Sequence, residues 1–226
     1  MKVNDLHYRP RGSRVDVIAG VTIQMDSRPT LLIGENGAGK TTLLRVLSGD
    51  LQPTLGSVTR EFSVVYLPQH FISIPGFSCL EYVAYVSWLW GASRKNARRE
   101  SLAWLEFVGL AELSAHRCDR LSGGQQARLA LAAAVGSGAE TLLLDEPTAS
   151  LDPLARDHVK KIYGKIVNEG VGLVVSTHNS SELCEPFERV LVMERGKIAF
   201  DGSLSGFSQE SGREGIVGEL SRAIKG

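Results

Sequence analysis

Nowhere among the 226 residues is there an apolar run of the ~20 residues that a bilayer-spanning helix needs, so the chain is not expected to cross a membrane by itself. Cysteine is scarce. Cys79, Cys118 and Cys184 are odd in number, widely spaced and without metal-type pairing, which argues against a disulfide framework or a zinc site and suits a reducing cytosol. An excess of either charge is also missing. Lys+Arg and Asp+Glu both number 25, so no general electrostatic attraction to nucleic acid follows and none is expected as a partner. The opening MKVNDLHYRPRG lacks the apolar stretch of a signal peptide, and no internal repeat, low-complexity tract or long linker interrupts the chain. What remains, 43% hydrophobic and 22% charged residues, is enough for one substantial core and predicts a single compact unit.

Residues Gly34 to Thr41 read GENGAGKT and match G-x-x-x-x-G-K-[ST], a loop whose backbone N–H groups curl around phosphate oxygens while lysine reaches the outer phosphates. Strand-like Thr30 to Ile33 runs into it. Lys40 to Leu47 follows with Leu43, Leu44 and Leu47 at helical spacing and Gly49 as a stop, so a helix N-terminus points at the bound anion. A second glycine element, LSGGQ at Leu121 to Gln125, is followed by Gln126, Arg128 and the apolar run Leu129 to Val135. Between them in type, LLLDEP at Leu142 to Pro147 ends an apolar strand in two adjacent acids, Asp145 and Glu146. Further apolar runs at Val171 to Ser176 and Val190 to Met193, with a helical pattern at Leu154 to Val167, give the α/β alternation of a mainly parallel sheet. Val15 to Met25 also reads as a strand.

This combination resembles the ATP-binding cassette (ABC) ATPases, over approximately Val3 to Gly202. The resemblance implies an α/β P-loop NTPase fold with a mainly parallel core sheet, an N-terminal antiparallel β subdomain and a helical subdomain at about 77–120. Residues 1–226 would form a single ABC ATPase domain, closed by a helical appendage at about 203–226. By the same resemblance ATP and Mg²⁺ are the cofactors. Gly34, Asn36, Gly37, Ala38, Gly39, Lys40, Thr41 and Thr42 would hold the phosphates; Thr41, Asp145 and Gln69 would serve Mg²⁺, an ion that takes oxygen ligands and keeps several waters. Glu146 would orient and deprotonate the attacking water, with His178 at the γ-phosphate and Lys40 and Gln69 completing the catalytic set. Tyr8 is the candidate for stacking on adenine and suits a packing role equally well. Asp152, before Pro153, is both a candidate interface acid and a good helix N-cap.

Ser122, Gly123, Gly124 and Gln125 would form a second anion site at a helix N-terminus. The family's arrangement is a head-to-tail pair in which the signature of one cassette closes over ATP held by the other, so a second cassette, favoured as a homodimer, is the expected partner. A separate transmembrane permease is the other, with membrane association through it alone and a cytoplasmic, peripheral location on the inner face of the cell membrane. EYVAYVSWLWGA and FDGSL look most like bacterial export ATPases for drugs and antibiotics. The rival reading is a soluble ABC ATPase of assembly, translation or repair, although the 52 positions from Gln69 to Leu121 leave no room for a long coiled-coil arm. Phe77 to His116 reads as helical, with Gly91 and Gly109 as breaks. Within it Tyr82, Tyr85, Val86 and Leu89 form one stripe on a helix that is apolar nearly all round, and a groove with Gln69 at its base is expected to take a helix of the partner.

Overall fold

The computed structural model describes residues 1–210 and 216–225. In chain order its elements are β1 (Lys2–Tyr8), β2 (Ile18–Gln24), β3 (Thr30–Ile33), α1 (Lys40–Ser48), β4 (Leu55–Thr59), β5 (Val64–Leu67), α2 (Cys79–Leu89), α3 (Arg94–Phe107), α4 (Gly123–Gly136), β6 (Thr141–Asp145), α5 (Pro153–Asn168), β7 (Gly172–Thr177), β8 (Arg189–Glu194), β9 (Lys197–Ser203), α6 (Leu204–Phe207) and α7 (Ile216–Lys225).

Every residue of β3, β6 and β7 is buried, which is what strands covered on both faces require and why they read as unbroken apolar runs. They sit inside a six-stranded sheet of order β5-β6-β7-β3-β8-β9, parallel throughout except for the antiparallel edge strand β9. Because strand side chains alternate, each central strand feeds two cores. Leu31 and Ile33, Leu142 and Leu144, Val190 and Val192 join the helix-covered side with α4 and α5. Leu32, Leu143, Leu191 and Met193 face the other way, onto α1 and a small antiparallel sheet of order β2-β1-β4. Arg189, almost fully buried, fastens the two sheets: its guanidinium donates to both Asp201 carboxylate oxygens at 2.7 Å and to the Gln24 carbonyl at 2.8 Å. Asp201 is exposed, but its loss would leave the buried guanidinium short of two acceptors, a cost of about 1–3 kcal/mol.

Side-chain caps fix where the helices begin. Ser78 with Glu81 and Ser122 with Gln125 form reciprocal capping boxes, and Asp152 caps α5 with Pro153 at its first turn. The helical section expected at 77–120 consists of α2, α3 and short single turns at Ala111–Leu113 and Cys118–Arg120.

Two expectations are revised. The strand expected from Val15 begins at Ile18, since Val15 is 72% exposed and lies in the bend that returns the chain to β1. In α2, Cys79, Val83 and Ser87 are fully buried, Tyr82 and Val86 pack half-buried against the core, and Tyr85 and Leu89 are exposed. Gln69 is not the base of either groove flanking α2: one is lined by His70, Phe71, Tyr82 and Val86, the other by Phe77, Leu80 and Tyr85. In the C-terminal stretch, Phe207 and Val217 are buried in the helix-side core, so the described part of that segment is packed onto the sheet; positions 211–215 and 226 lie outside the described residues.

Candidate active site

Glycine is required where the phosphate loop leaves β3. A Cβ on Gly34 would lie 2.4 Å from the Met193 carbonyl of β8, and Gly39 has φ of 107° with the Val17 carbonyl 2.9 Å from where its Cβ would be. The backbone N–H groups of Gly37, Gly39, Lys40 and Thr41 have no protein acceptor among the described residues. Converging donors at a helix N-terminus are a cradle for an anion, and the polyphosphate of a nucleotide fits it. Lys40 is 5% exposed; its ammonium donates to Gly34 O at 2.8 Å and Glu35 O at 3.1 Å and forms an ion pair with Glu146 Oε1 at 3.1 Å. Ala38 is buried beneath the loop, while Asn36 and Thr41 are exposed and Thr42 is half-buried.

Parallel pairing of β6 with β7, and of β7 with β3, brings the acids to the same sheet edge as the loop. Asp145, 2% exposed, ends β6; its Oδ1 accepts from Ser176 Oγ at 2.6 Å and its Oδ2 from the Tyr66 hydroxyl at 3.0 Å. Burial, followed by the neighbouring Asp145 charge, pushes the Tyr66 phenol well above its ordinary range, so it remains a donor. Glu146 follows in the left-handed region at φ of 45°, a conformation that costs a non-glycine residue about 1–3 kcal/mol. The Ser176 hydroxyl and carbonyl hold it there, accepting from the Glu146 N–H at 3.0 and 3.2 Å. That turn aims the carboxylate sideways: Oε1 meets Lys40, and Oε2 accepts from His178 Nδ1 at 3.0 Å.

Mg²⁺ is tested by the donor set. Among the described residues no cluster of three or more His, Cys, Asp or Glu could cage a metal ion. One buried carboxylate, Asp145, near the exposed Thr41 at the start of α1, suits an ion that retains waters and takes phosphate oxygens for its other ligands.

Gln69 is exposed and shares a cavity of 190 Å³ with Glu146, Gly123 and Gln126. Ser122, Gly123, Gly124 and Gln125 line a separate polar cavity of 250 Å³ together with Asp152 and His158, and no residue of Gly34–Thr42 reaches it. The structure therefore brings Lys40, Glu146, His178 and Asp145 together and keeps Ser122, Gly124 and Gln125 apart from them, with Gly123 alone of these signature residues also lining the cavity of Glu146. Ser122 Oγ and Asp152 Oδ1 also cap their helices, accepting from Gln125 N at 3.4 Å and Ala155 N at 2.9 Å. Tyr8 is half-buried at the end of β1, its backbone paired with Ile18 beside Gly39 and its ring packed on the core of the smaller sheet. Ser176 and Tyr66 were not anticipated. A hydroxyl inside the apolar run Val171 to Ser176 was the available signal for Ser176; Tyr66 offered none.

Residues 20–149 match the ABC transporter family model. The chain belongs to the ABC transporter family. It is one of the family's ATPase cassettes, as the resemblance implied. Relatives include the ABC transporter ATP-binding protein YxlF of Bacillus subtilis, 32% identical over 79% of this chain and 63% of its own length. The glutamine transport ATP-binding protein GlnQ of Escherichia coli is 34% identical over 76% of this chain and 79% of its own length. The lipoprotein-releasing system ATP-binding protein LolD of Geobacter metallireducens is 32% identical over 86% and 94%. The chain thus spans just under two thirds of YxlF's length. A solved ATP-binding subunit of an ABC transporter superposes with a TM-score of 0.82 at 21% identity, covering 100% of this chain and 99% of that one, and shares the fold. These relatives belong to different transport systems, so they support the family as a whole and not a drug-export branch of it. No helix among the described residues is long and apolar enough to cross a membrane.

Proposed function

We propose that residues 1–226 act as a single cassette domain that binds and hydrolyses ATP to drive a separate membrane-spanning permease, at the inner face of the cell membrane. The observation that carries this reading is the Glu146 carboxylate, placed between Lys40 of the phosphate loop and His178 of β7's end. Water held beside Glu146 loses its proton to a carboxylate oxygen, and His178 positions the same carboxylate and the terminal phosphate. Gly34, Asn36, Gly37, Ala38, Gly39, Lys40, Thr41 and Thr42 hold the phosphates, and Tyr8 lies on the adenine side. Mg²⁺, held by Thr41, Asp145 and Gln69, supplies positive charge against the phosphate oxygens.

The cavity of Ser122 and Asp152 completes the site of a second copy in a head-to-tail homodimer, a reading supported by its separation from the phosphate loop of its own chain. The groove of 440 Å³ between His70, Phe71, Tyr82 and Val86 suits a helix of the permease, adjacent in sequence to Gln69. The direction we propose is export, supported by EYVAYVSWLWGA and FDGSL and by the lipoprotein-releasing relative. The test is ATP hydrolysis and substrate movement by the chain reconstituted with the membrane protein that co-purifies with it. Failure of any membrane-spanning protein to co-purify with the chain would favour the assembly, translation or repair reading.

A further inference from the structure

The closed end of the α2–α3 hairpin carries an exposed aromatic surface outside the nucleotide site. Tyr85 is 37% exposed, Trp88 40%, Leu89 59% and Trp90 46%; Trp90 lines the groove proposed for the permease helix, Tyr85 and Trp88 line the groove on the other side of α2, and Leu89 lines neither. Four cations follow, Arg94, Lys95, Arg98 and Arg99, all exposed and with no acidic residue between Ser87 and Arg99. In a chain of formal net charge zero this is a strong local excess. Arg99 pairs with Glu100 at 2.9 Å; Arg94, Lys95 and Arg98 make no ion pair among the described residues. Glu81, the acid on the adjoining groove, accepts capping bonds from Ser78 N and Oγ at 2.8 Å, which together with the weaker pull of the Arg98 charge hold its carboxyl below the ordinary range; it forms no ion pair with Arg98.

This charge lies at the beginning of α3, whose first turn has no acidic residue. Helix N-termini already carry partial positive charge, so basic side chains there are opposed by the helix itself and gain only from an anion outside the fold. The Arg94 guanidinium also lies 5.4 Å from the Trp88 ring centroid, placing cation and apolar ring in one patch. Tryptophan rings settle at the headgroup level of a bilayer, and each basic residue near an anionic leaflet strengthens partition roughly fivefold.

We propose that the α2–α3 tip binds the membrane surface directly, with Trp88 and Leu89 entering the headgroup layer and Arg94, Lys95 and Arg98 meeting anionic phospholipid headgroups. This contact adds to the permease contact and does not depend on it. The surface is a hairpin tip with unpaired charge, which a sheet of headgroups covers without a shaped counterpart.

The purified full chain is mixed with phosphatidylcholine vesicles with and without phosphatidylglycerol, and flotation and tryptophan emission are recorded. The expected result is flotation with phosphatidylglycerol vesicles only, a blue shift of emission, and reversal by about 0.5 M salt. Arg94→Glu with Arg98→Glu should lower partition more than about 25-fold. Trp88→Ser with Leu89→Ser should reduce the blue shift and weaken flotation. Unchanged ATPase activity and thermal unfolding confirm that both pairs of variants remain folded. No flotation of the folded wild type at low salt, equal binding to phosphatidylcholine alone, or wild-type flotation of the Arg variants would overturn the proposal. Loss of permease capture by these variants with vesicle binding unchanged would also overturn it, assigning the tip to a protein partner.

Discussion

Glu146 joins Lys40 to His178: one carboxylate oxygen lies 3.1 Å from the ammonium and the other 3.0 Å from the imidazole Nδ1. The two contacts arise because Glu146 adopts a left-handed backbone conformation that Ser176 secures from the neighbouring strand. A group with one oxygen facing the phosphate loop and the other facing β7 is placed to take a proton from water next to the terminal phosphate. Glu146→Gln keeps the shape and removes the basicity. Turnover should fall by ~10²- to 10⁴-fold with ATP affinity largely retained, measured by phosphate release and by binding of a fluorescent ATP analogue. Hydrolysis at the wild-type rate would remove Glu146 from this role.

Asp145 depends on two donors from outside its own strand. Tyr66→Phe removes the bond to Oδ2, while Ser176→Ala removes the bond to Oδ1 and also an acceptor for the Glu146 N–H. Ser176→Ala should therefore be the more severe, destabilising by about 1–3 kcal/mol in denaturant unfolding against about 1 kcal/mol for Tyr66→Phe. Both should raise the Mg²⁺ concentration needed for half-maximal ATPase activity, since Asp145 loses its fixed orientation. Unaltered Mg²⁺ dependence in a folded Ser176→Ala protein would separate this network from the metal site.

The placement of the proposed site was legible in the sequence because it depends on short strings: GENGAGKT, LSGGQ and LLLDEP each occupy a sheet edge or helix start that local pattern alone reveals. The fully buried strands β3, β6 and β7 were equally readable. The phase of α2 was not. A helix apolar nearly all round gives periodicity nothing to choose between, and the face that packs inward, Cys79, Val83 and Ser87, includes two small residues that permit close approach. Two edge strands were missed for the opposite reason: β4 (LGSVT) has only Val58 half-buried, and in β9 no residue is fully buried, so neither shows the apolar run that marks edge strand β5, Val64–Leu67. Tyr66 and Ser176 act across strands, at separations of 79 and 31 residues from Asp145, a distance that only the sheet order closes.

The cysteines give a check on packing that is independent of activity. Burial pushes the Cys79 thiol up to about 11, so almost none is thiolate at neutral pH, and Cys118 is also buried with its Sγ donating to the Ile74 carbonyl. Cys184 is exposed. A chromogenic disulfide reagent should react rapidly with one thiol in the native protein and with three after unfolding, and Cys184→Ser should abolish the rapid phase. Fast reaction of two thiols in the native Cys184→Ser protein would contradict the packing of α2 against the rest of the helical section.

Two anion-binding helix starts that do not meet within one chain make separate demands on mutagenesis. Lys40 belongs to the phosphate loop, whereas Ser122 lies in the cavity with Asp152 that no loop residue reaches. Lys40→Ala should weaken ATP binding by a monomer, because an ammonium that contacts the outer phosphates is lost. Ser122→Arg should leave monomer binding near the wild-type value and obstruct the approach of a second copy's γ-phosphate. The Glu146→Gln background is the informative one, since blocked hydrolysis should let ATP hold the pair closed long enough for light scattering to record the mass. The expected outcome is an ATP-dependent dimer in Glu146→Gln that disappears when Ser122→Arg is added, while fluorescent-nucleotide affinity changes less than about threefold, within ~0.7 kcal/mol. Arginine at the cap position costs α4 its capping box, about 0.5–2 kcal/mol, so Ser122→Ala serves as the control that loses the cap without adding bulk. If Ser122→Arg dimerises as readily as its parent while remaining folded, the signature cavity does not form part of the neighbouring cassette's site.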